Sequence, residues 1–187
     1  MLNKILAVAA VSAAVVGCSS APKLQLDNGS TLYTADKVYT QTNLHPDEVR
    51  RRLYSINYQQ AGLIPRCTEV TIKDASAKKM IFEADGTTYH YFFHKASGSF
   101  DDNIKKYFGP ACKKSDLRGL NSIDKKGLKE GKVLKGMTKD GVILAIGHPP
   151  AHVTPSLKAD VWKYWSNRFN TFNVVFDKKG RVKRVQD

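Results

Sequence analysis

The stretch GMTKDGVILAIGHPP, residues 136–150, constrains this chain most, because both of its ends are marked. Thr138 is placed to cap a helix by accepting a bond from a first-turn amide, and Asp140 sits near the positive helix end. Val142, Ile143 and Ile146 then form one apolar stripe. Gly147 is expected at the left-handed position that closes the helix, and Pro149 forbids its continuation. A catalytic loop is not needed to explain the segment. Only His148 is left over, and it is read as a candidate surface contact.

Beyond this helix the chain carries two strand candidates, DVWKYWSNRF and TFNVVF, then DKKG and RVKRV. Phe172, Val174 and Phe176 alternate toward one face, and Asp177 and Gly180 take the first and fourth positions of a type I turn. A helix followed by an antiparallel meander is an α+β layer in which the helix covers one sheet face. Alternation sends Trp162 and Tyr164 to one face and Trp165 to the other. A buried tryptophan contributes about 4 to 6 kcal/mol at roughly 25 cal/mol per Å². At least one of the two is therefore structural. Trp165 and Arg168 are candidate partner contacts, since aromatics and arginine are enriched at binding hot spots. Packing on the preceding unit is the alternative. Arg181, Lys183 and Arg184, from the one dense basic cluster, complete the candidate set.

Gly136-Met137-Thr138, Val142, Gly147-x-Pro149, Trp162-x-Tyr164 and Val175-Phe176-Asp177-x-x-Gly180-x-Val182 together resemble the SmpA/OmlA, or BamE-like, lipoprotein domain. The resemblance implies two short helices on a three-stranded antiparallel sheet over residues 132–187. In the best-known members it implies a periplasmic accessory role in outer-membrane protein assembly. Two features depart from that pattern. Gly127 and Gly131 interrupt the place of the first helix, and a β-rich unit precedes the domain.

That unit, residues 31–115, is rich in aromatic and β-branched residues. In CTEVTIK, Val70 and Ile72 share a face, and Asp85-Gly86 between two apolar runs is a two-residue hairpin signal. Tyr89, Tyr91 and Phe93 share a face opposite His90, Phe92 and His94. Asp47 to Leu53 reads as a short helical turn and Asp101 to Phe108 as a short helix. A small, SH3-like barrel is one form such a unit takes. Residues 116–131 read as a polar, glycine-punctuated connector.

The N-terminus, MLNKILAVAAVSAAVVGCSS, has the charged, apolar and small-residue order of a secretory signal over residues 1–17, too short for an ordinary membrane span. Its ending Val-Val-Gly-Cys resembles a bacterial lipobox, which implies that Cys18 carries the lipid and that residues 18–30 are a tether. A conventional signal with a chance cysteine is the alternative. Two or three acyl chains would anchor the protein stably to a membrane. Ser19 stands where inner-membrane-retained lipoproteins often carry aspartate, so resemblance to that sorting pattern implies the outer membrane, with its periplasmic face the default.

Export places Cys67 and Cys112 in an oxidising compartment, where an even pair reads as a disulfide. Export also argues against nucleic acid as the partner of a chain whose net charge is +13. Such a field attracts lipid headgroups, lipopolysaccharide phosphates, peptidoglycan carboxylates or an acidic protein. No metal or cofactor is expected: prolines break the His148 and His152 spacing, and strand geometry separates His90 from His94 by about 13 Å. Nor is there a Ser-His-Asp, HExxH or phosphate-cradling glycine pattern. The leading expectation is a non-enzymatic, lipid-anchored envelope protein acting as an interaction module of an outer-membrane or periplasmic assembly. A binder of peptidoglycan or lipopolysaccharide, or a periplasmic inhibitor by fold analogy, are the alternatives.

Overall fold

A computed structural model describes Thr31, Ala35, residues 37–112 and residues 114–187. The expected signal, the expected lipidation site Cys18 and the expected tether lie outside the described residues. Chain order is β1 (Val38–Thr40), β2 (Arg52–Tyr54), β3 (Glu69–Ala75), β4 (Lys79–Ala84), β5 (Thr87–Phe92), α1 (Phe100–Tyr107), β6 (Phe108–Gly109), α2 (Ser122–Glu130), α3 (Lys139–Ile146), β7 (Val161–Trp165), β8 (Thr171–Phe176) and β9 (Val182–Gln186). The class is mixed α+β.

The first six strands form one sheet in the order β2-β5-β4-β3-β1-β6. Its β4–β5 hairpin turns on Asp85 and Gly86 at φ 47° and 72°. Positive φ at both central residues is what a two-residue turn needs to match the twist of its strands. β2 joins at the edge, parallel to β5. Met80 and Phe82 of β4 and Tyr89 and Tyr91 of β5 point to one face with Val70, and α1 covers them with Ile104 and Tyr107. Asn103 docks that helix: it bonds the Tyr91 hydroxyl and donates to the Ser55 carbonyl at 3.1 Å. The Asp47 to Leu53 stretch divides: Asp47 closes one turn by accepting from the amides of Val49 and Arg50, and Arg52 onward is strand.

Cys67 and Cys112 are joined in a disulfide, with Cα atoms 5.2 Å apart. It ties the loop before β3 to the segment after β6, outside the aromatic core.

A second core is built from α3 and the β7-β8-β9 meander. Trp162 and Tyr164 are both fully buried, with Val174, Phe176 and Val182 on the same face. Thr138 caps α3, as expected, by accepting from the Gly141 amide. Gly147 has φ 77° but ψ −179°, so it leaves the helix extended rather than left-handed helical. The Asp177 to Gly180 turn closes through the Gly180 amide on the Asp177 carbonyl at 2.9 Å.

Residues 116–131, read from sequence as a connector, hold α2. Its start is a capping box: the Asn121 side chain accepts from the Asp124 amide, and Asp124 accepts from the Asn121 amide. Gly127 does not break the helix. It lets α2 approach Met137, whose thioether occupies the space a Cβ would need. Gly131 ends the helix in the left-handed conformation.

Candidate interaction surfaces

The two cores are fused by polar side chains rather than by an apolar seam. An α-helix leaves its last carbonyls without intrahelical donors, and at α3 the first half of the chain supplies them. The Asn43 amide donates to Leu144 O at 2.9 Å, and His45 Nε2 donates to Ala145 O at 3.1 Å. Asn57 Nδ2 and Gln59 Nε2 each donate to Ile146 O at 2.8 Å, and Asn57 Nδ2 also reaches His148 O at 2.8 Å. Asn43 Nδ2 serves both helices, donating to Leu128 O of α2 at 2.7 Å and to Ala145 O at 3.2 Å. Tyr164 completes the set from β7, with its hydroxyl on Gly147 O at 3.0 Å. Asn43, His45 and Asn57 are buried. None of them stood out in the sequence, because a cap supplied from another element leaves no local pattern.

His148 belongs to this joint. Its ring lies edge-on to Tyr107, 6.2 Å between centroids, and is half-buried. Burial, and secondarily Lys106, pull its pKa down to about 4. Burial likewise lowers that of His45. Of the other histidines, His94 caps a turn through Nδ1 on the Ala96 amide, and His152 stacks on Trp165.

Register defines the two faces of the meander. Trp162, Val174 and Val185 are cross-strand neighbours on the helix side, while Val161, Val175 and Arg184 form a row on the outer side, with Lys163, Asn173 and Gln186 as the next row. Trp165 lies on that outer face beyond them, opposite Thr171. Lys163 Nζ sits over its indole at 5.6 Å. The main chain of Trp165 also receives the Gln59 amide at 2.8 Å, which places its edge against the first half of the chain. Val161 is 49% exposed and Trp165 half-buried.

The remaining sequence candidates separate. Arg181 stands at the far end of the sheet, where it pairs with Thr138. Lys183 is exposed on β9. Arg168 lies instead in the β7–β8 loop, where its guanidinium covers Phe169 at 4.4 Å and lines a cavity of about 220 Å³ with Arg50, Arg52, Tyr54, Tyr58 and Asn167. Burial and Tyr54 raise the Tyr58 pKa, and Arg168 opposes them. Arg50 and Arg52 thus meet Arg168 across the joint.

A larger cleft of about 450 Å³ opens beside the ends of α2 and β9, with Leu63, Val133, Ile146, Phe172 and Val185 as its apolar wall. Among the described residues no cluster of three or more His, Cys, Asp or Glu is placed to hold a metal ion, and no helix is long and apolar enough to cross a membrane. No family model, no curated protein and no solved structure matches the chain.

Proposed function

We propose that this protein is a non-enzymatic, lipid-anchored envelope protein, held at the periplasmic face of the outer membrane by Cys18, that serves as an interaction module of an envelope assembly. The observation that carries the reading is the outer face of the meander, where Val161, Val175 and Trp165 lie beside Lys163 and Arg184 on a sheet whose other face packs against α3. Apolar residues edged by cations suit a partner surface with an apolar centre and an acidic rim. The polar joint supports the same reading, since it fixes that face relative to the first half of the chain.

The order α2-α3-β7-β8-β9, which begins at Ser122 and so ahead of the expected 132–187 bounds, has two short helices and a three-stranded antiparallel sheet, and that likeness of architecture is what supports the BamE-like reading. The short strands of the first half suit an SH3-like form, from which the parallel β2–β5 pair departs.

A photoreactive residue at Val175, introduced into the full chain in intact cells, is expected to crosslink to one envelope protein, and Trp165→Ala to abolish the crosslink. Recovery of no envelope partner would overturn the proposal. Binding of an anionic envelope polymer is the second reading, favoured by the arginines that meet at the smaller cavity. Co-sedimentation with purified sacculi that falls with salt and depends on Arg50 and Arg52 would support it.

A further inference from the structure

The smaller cavity joins two features that the interaction module leaves unused. The first is its cation content. Asp47 pairs with Arg50 at 3.4 Å and accepts two backbone amides of its own turn, so that carboxylate is occupied. Arg52 and Arg168 have no carboxylate within ion-pair distance among the described residues; each lies over an aromatic ring, Phe92 at 5.7 Å and Phe169 at 4.4 Å. Stacking leaves the guanidinium edges available for a second, bidentate partner.

The second feature is the rim. Val49 and Phe169 are the two most exposed large apolar side chains among the described residues, at 90% and 75%. They stand on the two turns that bound this cavity, beside Arg50 and Arg168 respectively. Nothing in the fold of either turn requires an apolar residue there: the 47–50 turn is held by Asp47, and the 166–170 loop by the Ser166 amide on Asn170 O and by Asn167 Oδ1.

We propose that this cavity is a membrane-contact site, in which Arg52 and Arg168 bind the phosphate of an anionic phospholipid while Val49 and Phe169 enter the adjoining acyl layer. Phosphate and hydrocarbon lie side by side at a bilayer surface, in the same juxtaposition as the arginines and the two apolar tips. Free phosphate would satisfy the arginines and leave both tips in water. Attraction of basic residues to an anionic leaflet acts within a Debye length, so it would orient a molecule already held at the surface. The inference rests on the proposed anchoring only for that proximity.

The test uses the full chain bearing Phe169→Trp, reconstituted into vesicles whose phosphatidylcholine has brominated acyl chains, with or without phosphatidic acid, a lipid whose headgroup is the phosphate alone. Flotation of the vesicles reads anchoring, and quenching of the new indole above the background of Trp162 and Trp165 reads the contact. Quenching is expected only with phosphatidic acid, and Arg52→Gln with Arg168→Gln is expected to remove it while flotation is unchanged. A Val49→Trp reporter is expected to behave alike. Absence of phosphatidic-acid-dependent quenching from both reporters, or quenching that survives the double substitution, would overturn the proposal. Failure to float without phosphatidic acid would count against the anchoring and not the cavity.

Discussion

The carboxylate of Asp124 accepts both the amide of Thr138 at 2.7 Å and its hydroxyl at 3.1 Å, so the first turn of α2 and the cap of α3 share one buried acid. Asp124 is fully buried and also receives the Asn121 amide at 3.0 Å. Removing it strands donors from two helix starts at once. Asp124→Ala is expected to cost about 3 kcal/mol, between the loss of a cap and that of a buried charge-assisted network. Thr138→Ala, which keeps the amide bond, is expected to cost about 1 kcal/mol. Urea unfolding of both variants measures the difference.

The joint should be acid-sensitive. His148 holds a pKa of about 4 against an ordinary value of 6.5, and His45 is also lowered. Between those values the unfolded chain binds more protons than the folded one, so stability is full above about pH 6.5 and falls as the pH drops toward 4. His148→Gln is expected to flatten that dependence by about 1 to 3 kcal/mol across the window, at roughly 1.4 kcal/mol per unit of pKa difference. Denaturation midpoints at pH 7 and pH 5 provide the comparison.

Gly147 tests whether the two halves behave as one. A Cβ there would stand 2.9 Å from Asn57 Nδ2 and 3.0 Å from the Tyr107 ring, on backbone at φ 77°. Gly147→Ala is expected to lose about 1 to 3 kcal/mol through strain and displaced caps. Amide exchange should show the loss on both sides of the joint, including the segment around Asn57.

The two tryptophans should separate stability from contact. Trp162→Ala empties a fully buried site beside Phe176 and is expected to cost about 3 to 5 kcal/mol. Trp165→Ala removes a half-buried ring stacked on His152, and should leave most of the stability while abolishing the Val175 crosslink. Calorimetry with the crosslinking assay distinguishes them.

The Cys67–Cys112 bond closes a 45-residue separation. Replacing both cysteines with serine is expected to lower stability by up to roughly 4 kcal/mol, the chain-entropy value for a loop of that size. Comparison of the oxidised protein with the double variant in urea gives the figure.

Local pattern made much of this fold legible. The α3 cap, its proline stop, the Asp85-Gly86 turn and the inward set Trp162, Tyr164, Val174 and Phe176 each depend on neighbours close in the chain or on strand alternation. The α2 helix was obscured by its glycines, since Gly127 looks like a breaker until Met137 is known to fill the space beside it. The Asn121-x-x-Asp124 spacing was the local signal for it. The interaction surfaces were legible only in part. Trp165 follows from alternation, whereas the meeting of Arg168 with Arg50 and Arg52 spans more than 100 residues and has no sequence period.

By itself the sequence determined α3, the marked turns and the meander strands, because these rest on backbone preferences and local periodicity, and it offered the cysteine pair by count. The tertiary structure alone decided the joint. It turned His148 from an expected surface residue into a half-buried one, gave the carbonyls of GMTKDGVILAIGHPP to Asn43, His45, Asn57 and Gln59, and gathered three arginines around one cavity. Helix-end carbonyls demand donors wherever the chain can bring them, and which residues answer depends on how distant segments pack.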